Sequence, residues 1–259
     1  MGITTCKICG GSMSLFDNAT IMNKYDIKYY RCQQCGLITT EEPFWSEESY
    51  SSAITDSDIG MIGRNIMLST QISAIIKAFY NQKSLFLDYG GGYGIFTRMM
   101  RDKGFDFEWY DAYCDNIFAR GHEKKHDKYD IITCFEMFEH VYEPGKLIEE
   151  LSDLADTILF STELNDYANP HALGDWWYYG LDHGQHVSIY TAKALEALAR
   201  RVNKNYYTCG NIHIFTGNEL NKVALKLCNK YTKLVDRFVK RESLLEREYE
   251  DITGQKLNE

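Results

Sequence analysis

A glycine-rich turn between two apolar stretches is the feature that most limits how this chain can fold. Residues 84–88 form a short apolar run that ends at Asp88, and glycines follow at positions 90, 92 and 94. Residues 95–101 then have the composition of a helix start. Glycines at alternate positions let the backbone pass close to a ligand at the carboxyl end of a strand. The pattern Asp88, Gly90, Gly92, Gly94 therefore predicts a strand, a ligand-binding turn and a helix.

Strand-like and helix-like segments alternate after this turn, which is the pattern of a sheet with crossover helices. Further strands are predicted at residues 107–111, 128–134 and 157–161, helices at 144–154 and 192–202, and a final hairpin at 205–217. Thr191 directly precedes the last of these helices, in the position of an N-cap. We therefore expect an α/β fold with a Rossmann-like sheet and helices on both faces.

Two carboxylates indicate which nucleotide the turn binds. Asp111 ends the strand that follows the glycines and is placed to accept hydrogen bonds from ribose hydroxyls. Asp88 directly precedes the glycines, where it would repel a diphosphate but suit the ammonium group of a methionyl moiety. The turn also lacks the Lys-Ser/Thr ending of a phosphate-binding loop. These features favour S-adenosylmethionine over NAD or ATP; the alternative is a glycine turn that only packs the helix on the strand.

Four cysteines near the N-terminus have the spacing of a metal site. Cys6 and Cys9 form one C-x2-C pair, Cys32 and Cys35 form another, and 22 residues separate the pairs. A glycine follows each pair and eases the turn beneath the sulfurs. Two such pairs complete a tetrahedral thiolate site, which suits zinc, and a closed site of this kind is structural. Four unligated thiols are the alternative.

Composition limits the partners and the compartment. The net charge is −9 and the pI about 5.3, which weighs against a nucleic-acid backbone as the main partner. The N-terminus shows no signal-peptide pattern, and no apolar stretch approaches the length of a membrane span. We therefore expect a cytoplasmic protein that acts on a small-molecule substrate.

Several motifs together resemble the class I methyltransferases. These motifs are Asp88-x-Gly90-x-Gly92-x-Gly94, the strand end at Asp111 and the run from Phe135 to Val141. The Glu139-His140 pair is similar to that of enzymes acting on small metabolites, quinones and nucleotide sugars. The resemblance implies S-adenosylmethionine as cofactor and adds Phe135 to the residues that bind it.

A narrower resemblance concerns sugar methyltransferases. The run 176–190 is similar to the region before the last helix of bacterial sugar methyltransferases, and a cysteine module ahead of such a domain resembles the deoxysugar C-methyltransferases. The chain departs from these enzymes at two points. Only about 40 residues follow Gly217, too few for their additional C-terminal domain, and Gln185 stands where they tend to have Glu.

Methyl transfer requires alignment of the acceptor and, for an unreactive hydroxyl or carbon, removal of a proton. Because the similar sugar enzymes place a histidine there, His186 is the first candidate for the base, followed by His183 and His140. Glu139 beside His140 is a further candidate. The alternative is that these residues anchor the segments in which they lie.

Five aromatic residues are candidates for binding the acceptor. Four of them lie in an aperiodic segment, where large aromatic side chains are costly to expose, so they cover an acceptor pocket or a partner surface. A lid over the acceptor is the favoured interpretation, and plain packing is the alternative. The fifth, Tyr50, lies in the segment before the first predicted strand of the domain, which closes over the cofactor in related enzymes. The candidates are Trp176, Trp177, Tyr178, Tyr179 and Tyr50.

The sequence divides into four regions. Residues 1–40 form the zinc-ribbon module, 41–80 a connector with cofactor-covering helices, 81–217 the cofactor-binding domain and 218–259 a C-terminal helix. Apolar residues recur at helical spacing in the last region, with lysines and arginines on its flanks. Docking of this helix on its own core, or in a homodimer, is favoured over contact with a membrane surface.

Two other functions compete with transfer to a small polar metabolite such as a nucleotide-linked sugar or a capsule precursor. One is RNA methylation, because some zinc-module enzymes act on ribosomal RNA and residues 1–40 are locally rich in Lys and Arg. The other is a non-catalytic scaffold that binds the cofactor and recruits a partner through the aromatic segment and the tail.

Overall fold

The computed structural model describes residues 4–50, 59–238 and 241–257. Its strands are β1 (Met13–Ile21), β2 (Tyr25–Cys32), β3 (Ile38–Thr40), β4 (Phe86–Tyr89), β5 (Phe107–Tyr110), β6 (Tyr129–Cys134), β7 (Ala155–Ser161), β8 (Ser188–Ile189), β9 (Asn205–Cys209) and β10 (Ile212–Thr216). Its α-helices are α1 (Ser46–Ser49), α2 (Met61–Phe79), α3 (Ile95–Asp102), α4 (Pro144–Leu154), α5 (Ala192–Arg201), α6 (Lys222–Lys230), α7 (Thr232–Phe238) and α8 (Leu245–Thr253). Short 3-10 helices lie at Phe138–His140 and Trp177–Tyr179.

The described residues fall into two compact units. The first unit comprises residues 4–50, 134–153 and 158–219, and the second comprises residues 59–133, 154–157 and 220–257. Six strands form the larger sheet, in the order β5-β4-β6-β7-β10-β9. This is the Rossmann-like α/β sheet that the alternating pattern predicts, and every strand and helix predicted between residues 84 and 217 is present within a few residues.

In the second unit, β4 is the central strand of a parallel arrangement. It pairs with β5 on one side and with β6 on the other, so that Leu87 lies opposite Glu108 and Ile132. All four residues of β4 are buried, which is the pattern of a parallel strand covered on both faces. The Phe86 and Phe107 rings stack at 4.8 Å between centroids. This packing fixes the strand ends from which the glycine turn begins.

In the first unit, two antiparallel sets of strands occur. One is the sheet β1-β2-β3-β8, and in the other β10 pairs with both β7 and β9. An aromatic-rich core lies behind the first sheet. Its buried residues are Ile21, Ile27, Tyr29, Ile38, Trp45, Tyr178, Tyr179, Val187 and Ile189.

The predicted module boundary at residue 40 does not coincide with a compact unit. β3 pairs with β8, and the amide of Thr40 donates to the carbonyl of Val187 at 3.1 Å. The sheet of β1, β2 and β3 is therefore completed by a strand almost 150 residues away, a pairing that local periodicity cannot indicate. The predicted connector includes residues 51–58, which lie outside the described residues.

The described residues of the C-terminal region form three helices, α6, α7 and α8, rather than the single helix that the apolar spacing predicts. The Thr232 hydroxyl donates to the carbonyl of Cys228 at 3.0 Å, which competes with helix continuation at the end of α6. Further on, Glu248 of α8 pairs with Arg98 and Arg101 of α3, which draws the last helix onto the second unit.

The apolar spacing of the tail also predicts the wrong buried face. Leu225 and Cys228 are the buried residues of α6. The apolar residues at helical spacing are Leu220, which is half-buried, and five that are exposed: Val223, Leu227, Tyr231, Leu234 and Phe238. A homodimer through this face stays a prediction. Among the described residues no helix has the length and apolar character needed to cross a bilayer.

Candidate functional site

The glycine turn in the second unit has the backbone conformation that its sequence predicts. Gly90, Gly92 and Gly94 all have positive φ angles, of 73°, 53° and 84°. Gly94 is the N-cap of α3 in the left-handed region, which side chains rarely adopt. The amide of Gly90 donates to the carbonyl of Tyr110 at 2.8 Å and so ties the turn to the end of β5.

Two glycines differ in the space around them. A Cβ atom on Gly92 would meet nothing within 4 Å, so this side of the turn is open. A Cβ atom on Gly91 would lie 2.6 Å from Trp109 Cδ1 and 2.8 Å from Asp88 Oδ2. The Trp109 indole also donates to the carbonyl of Gly92 at 2.9 Å. Sequence reasoning missed the packing role of Gly91 and Trp109, because spacing alone does not indicate which side chain fills the inner face of a turn.

Asp88 is buried beneath the turn. Its carboxylate accepts hydrogen bonds from the hydroxyls of Thr97 and Thr133, each at 2.9 Å. Burial raises the pKa of Asp88 to about 7. The carboxylate therefore joins β4, α3 and β6, and its contact with an ammonium group stays a prediction.

Asp111 organises the adjacent loop. Its Oδ2 accepts from the amide of Gly92 at 2.9 Å, and its Oδ1 accepts from the amides of Tyr113 and Cys114 at 2.8 and 2.9 Å. A carboxylate offers about four acceptor positions, so these three bonds leave capacity for a ribose hydroxyl. Phe135, the remaining predicted cofactor residue, is half-buried directly after β6.

Exposed apolar side chains follow Asp111 in the second unit. Tyr113 is 93% exposed, and Ile117 and Phe118 are also exposed. Apolar and aromatic faces suit the adenine of a nucleotide. Sequence reasoning missed these residues, although their position just after Asp111, the carboxylate predicted to bind ribose, was a signal.

A polar cluster in the first unit unites the predicted catalytic residues. A Glu139 oxygen and one ring nitrogen each of His140 and His186 lie within 4.8 Å of one another. The His186 ring lies 4.9 Å from the His140 ring and 5.0 Å from the His183 ring, between centroids. The structure therefore brings together Glu139, His140, His183 and His186, which sequence reasoning named separately. We call these four residues the Glu-His cluster.

Hydrogen bonds distinguish the histidines. His186 Nδ1 lies 2.5 Å from the carbonyl of Tyr178, so Nδ1 carries the proton and Nε2 has a free lone pair. His183 Nδ1 accepts from the amide of Gln185 at 3.1 Å, which places its proton on Nε2. Burial lowers the pKa of both imidazoles, that of His186 to about 4. Of these two histidines, only His186 therefore presents a neutral nitrogen with an unused lone pair.

His140 is held by Tyr50. The Tyr50 hydroxyl lies 2.9 Å from His140 Nδ1 and donates to the carbonyl of Gln185 at 3.4 Å. Burial, followed by the neighbouring His186, lowers the pKa of His140 well below its ordinary value. The structure thus places Tyr50, predicted from sequence to bind substrate, against a member of the Glu-His cluster.

Glu139 is the most unusual member of this cluster. It is 0% exposed, and neither carboxylate oxygen has a hydrogen-bond partner among the described residues. Burial, followed by the nearby Glu136 charge, raises the pKa of Glu139 to about 8. Sequence reasoning named Glu139 but could not indicate that its carboxylate is buried without a partner.

The four aromatic candidates occupy different environments. Tyr178 and Tyr179 are buried in the core of the first unit, so the structure does not support a lid formed by them. Their hydroxyls form hydrogen bonds with other buried polar groups. The Tyr179 hydroxyl accepts from Asn165 at 3.0 Å, and the Tyr178 hydroxyl lies 3.0 Å from the Thr162 hydroxyl. Trp176 packs against this core, whereas Trp177 is 76% exposed.

The four cysteines lie together in the first unit. Their sulfurs are all within 4.8 Å of one another. Cys6 Sγ lies 3.7 Å from Cys35 Sγ, and Cys9 Sγ lies 3.5 Å from Cys32 Sγ. The hydrogen bond with Cys35 lowers the pKa of Cys6 to about 5. Spacing in the sequence was sufficient to predict this four-cysteine cluster.

Comparison with known families agrees with this geometry. A methyltransferase domain family matches residues 68–208, more than half of the 259-residue chain. The chain belongs to this methyltransferase domain family. No curated protein matches the chain.

Solved structures show distant similarity. An O-methyltransferase family protein from Burkholderia thailandensis is 12% identical, with a TM-score of 0.45 over 69% of this chain and 65% of that protein. The match therefore spans less than two thirds of that protein's length. Magnesium protoporphyrin IX methyltransferase from Synechocystis PCC 6803 with bound SAH is 15% identical, with a TM-score of 0.44 over 66% of this chain and 93% of that one. Human N-acetylserotonin methyltransferase with SAM is 13% identical, with a TM-score of 0.42 over 64% and 61%.

Proposed function

We propose that this protein transfers a methyl group from S-adenosylmethionine to a small polar metabolite in the cytoplasm. A nucleotide-linked sugar or a capsule precursor is the acceptor class that the resemblance of residues 176–190 favours. The observation that carries the proposal is the glycine turn, whose open side at Gly92 lies beside the acceptor oxygens of Asp111. In this proposal Asp88, Gly90, Gly94 and Phe135 complete the donor site.

We further propose that His186 removes the acceptor proton. As the acceptor oxygen bonds to the methyl carbon and the sulfonium S–C bond breaks, the hydroxyl proton passes to His186 Nε2. The carbonyl of Tyr178 supports this role, because it holds the ring in the required tautomer. Tyr50 and the exposed Trp177 are the aromatic candidates for acceptor contacts.

A structural zinc ion fits the four-cysteine cluster. Sulfurs bound about 2.3 Å from one zinc ion lie about 3.8 Å apart in a tetrahedron, close to the 3.7 and 3.5 Å separations of the two thiol pairs. Four thiolates leave no open coordination position, so the ion would stabilise the fold rather than take part in the reaction.

Two measurements test the methyltransferase proposal. Calorimetry is expected to show binding of S-adenosylmethionine and S-adenosylhomocysteine, and absence of both would contradict the proposal. Transfer of a labelled methyl group into a fractionated cell extract, followed by mass spectrometry, is expected to identify a small polar product. Binding of the donor without transfer to any fraction would instead favour a non-catalytic scaffold.

A further inference from the structure

We propose that Glu139, His140 and His186 bind a divalent transition-metal ion. These residues supply one carboxylate and two imidazoles whose ligand atoms lie within 4.8 Å of one another. Two histidines and one carboxylate form a recurrent set of metal ligands that leaves coordination positions open. The inference goes beyond methyl transfer, because metal binding can be measured without any methyl donor.

The buried Glu139 carboxylate requires either a proton or a compensating cation. Glu139 is fully buried, and both of its oxygens lack hydrogen-bond partners among the described residues. A buried carboxylate in this condition is strongly destabilising unless it is protonated or paired with a cation. The hydroxyls of Tyr178 and Thr162 lie near the Glu139 carboxyl and lower its pKa, but they carry no charge and already pair with each other and with the amide of Glu163. The cluster itself therefore supplies no cationic partner for Glu139.

The space around Glu139 limits what that cation can be. Since Glu139 has no exposed surface, a cation that compensates its charge would have to contact the carboxylate directly, without an intervening water. A metal ion makes such direct contacts, at about 2.0–2.2 Å from carboxylate and imidazole ligands. Ligands at that distance are at most about 4.4 Å apart, so the observed spacing requires only a small rotation of a side chain.

The surrounding hydrogen bonds have the arrangement expected around metal ligands. Histidine ligands usually donate their second ring N–H to a carbonyl, carboxylate or water, which fixes the tautomer. His186 donates from Nδ1 to the carbonyl of Tyr178. The carbonyl of Gln185 lies near both the Tyr50 hydroxyl and the His140 ring, and a proton on His140 Nδ1 also satisfies the Tyr50 oxygen. With Nδ1 protonated in both rings, each Nε2 would have a lone pair for an ion.

The donor set indicates the class of ion. Two imidazoles and one carboxylate suit Mn²⁺, Fe²⁺, Co²⁺, Ni²⁺ or Zn²⁺ and do not suit Ca²⁺ or Mg²⁺, which prefer oxygen ligands alone. His186 Nε2 cannot be a ligand and a base at the same time. His186 is therefore the base in the metal-free chain and a ligand in the metal-bound chain.

Cobalt titration of the reduced, chelator-treated full chain tests the proposal. Co²⁺ in the four-cysteine cluster gives intense thiolate charge-transfer bands, whereas Co²⁺ bound by nitrogen and oxygen gives only weak visible bands. We expect two Co²⁺ ions per wild-type chain, one of each spectral kind. A single ion with the thiolate spectrum would overturn the proposal and would mean that a proton compensates Glu139.

Matched variants assign the second ion to its ligands. Glu139→Gln and His186→Gln are each expected to weaken the weakly absorbing Co²⁺ site at least about 100-fold, since loss of an outer partner alone costs 10–100-fold. His183→Gln removes a neighbouring imidazole that is not a ligand, and it should retain both ions. Equal loss in all three variants, or in none, would contradict the assignment. If a variant does not fold, the wild-type stoichiometry still decides the proposal.

Discussion

Gly91 is the residue of the turn with the least room for a side chain. In Gly91→Ala, the new methyl group would lie within 3 Å of Trp109 and of the Asp88 carboxylate. Overpacking of this kind costs about 1–3 kcal/mol and displaces the backbone. We expect at least about tenfold weaker binding of S-adenosylhomocysteine by calorimetry, which corresponds to about 1.4 kcal/mol.

Gly63 provides the control for this prediction. It lies in helix α2 of the same unit, and a Cβ atom there would meet nothing within 4 Å. Gly63→Ala should raise the melting temperature slightly through helix propensity and leave cofactor affinity unchanged. Equal affinities for Gly91→Ala and wild type would show that the turn tolerates the displacement.

His186→Gln tests the proposed proton acceptor. General-base catalysis contributes about 10²–10⁴-fold, so kcat for labelled methyl transfer should fall by a factor in this range. Affinity for S-adenosylmethionine should not change, because the proposed donor site does not include His186. The exposed His171 lies in the same unit and provides the control, and His171→Gln should transfer methyl groups at the wild-type rate. An unchanged kcat in His186→Gln would exclude the assigned role.

The sequence indicates residues whose function depends on spacing and misses those whose function depends on burial. The four cysteines could be predicted because ligand spacing is a local property of the chain. Gly91 and the unpartnered Glu139 could not, since the first depends on the Trp109 side chain and the second on packing around the 3-10 helix Phe138–His140. Histidine tautomers were equally inaccessible, because backbone carbonyls from other segments determine them.

At the scale of elements, the strands of the zinc-ribbon region depend on the four-cysteine cluster. We expect Cys9→Ala to lower the zinc content by one ion per chain, measured by elemental analysis of protein purified without chelator. Its melting temperature should also fall, because metal binding contributes folding free energy. Cys114→Ala changes a cysteine of the second unit and should keep the wild-type zinc content. Equal metal content in both variants would contradict zinc binding by these four cysteines.

Helix α8 depends on one buried carboxylate. Glu248 of this helix lies 2.5 Å from Arg98 and 2.6 Å from Arg101 of α3. Removing one partner from hydrogen bonds to charged groups costs about 1.5–3 kcal/mol. Glu248→Gln should therefore lower the free energy of unfolding by about that amount at pH 7, measured by urea denaturation. Glu246→Gln, at an exposed position of the same helix, should change it by less than about 0.5 kcal/mol.

The same carboxylate predicts a pH dependence. Burial opposes ionisation of Glu248, but hydrogen bonds from His122, Arg98 and Arg101 lower its pKa to about 2. Because this folded-state value lies below the unfolded value of about 4.3, the stabilisation is complete above that unfolded pKa. It is lost as the pH falls toward 2. The stability difference between wild type and Glu248→Gln should therefore shrink between pH 5 and pH 2, and a difference independent of pH would contradict the assignment.

At the scale of the whole molecule, the alternation of strands and helices was sufficient to predict the α/β class. The division into two compact units could not be predicted from the sequence. The pairing of β3 with β8 joins the N-terminal strands and residues 158–219 in one unit, although they are far apart along the chain. In the tail, the apolar spacing correctly predicted helical structure but not which face of α6 is buried. That face is determined by the contact of α6 with α2, a helix far away in the sequence.

Charge distribution favours a small metabolite over RNA as the acceptor. Three of the four cationic residues that make the first 40 residues locally basic are already engaged in the structure, Lys28 being the fourth. Lys7 pairs with Glu143 at 2.7 Å, Lys24 pairs with Glu48 at 2.7 Å, and Arg31 donates to the carbonyl of Tyr167. The net charge of −9 also opposes the approach of a phosphate backbone to the chain.

We therefore expect no retention of ribosomal RNA fragments in a filter assay at 50 mM salt. Specific and non-specific RNA binding both gain affinity at low salt, so this condition favours detection. The triple variant Glu42→Lys, Glu48→Lys, Glu143→Lys provides a positive control, because it frees Lys7 and Lys24 and adds three cations. Salt-dependent retention by this variant but not by the wild type would show that carboxylates prevent RNA binding. Retention by the wild type, with affinity falling as salt rises, would instead restore RNA as the acceptor.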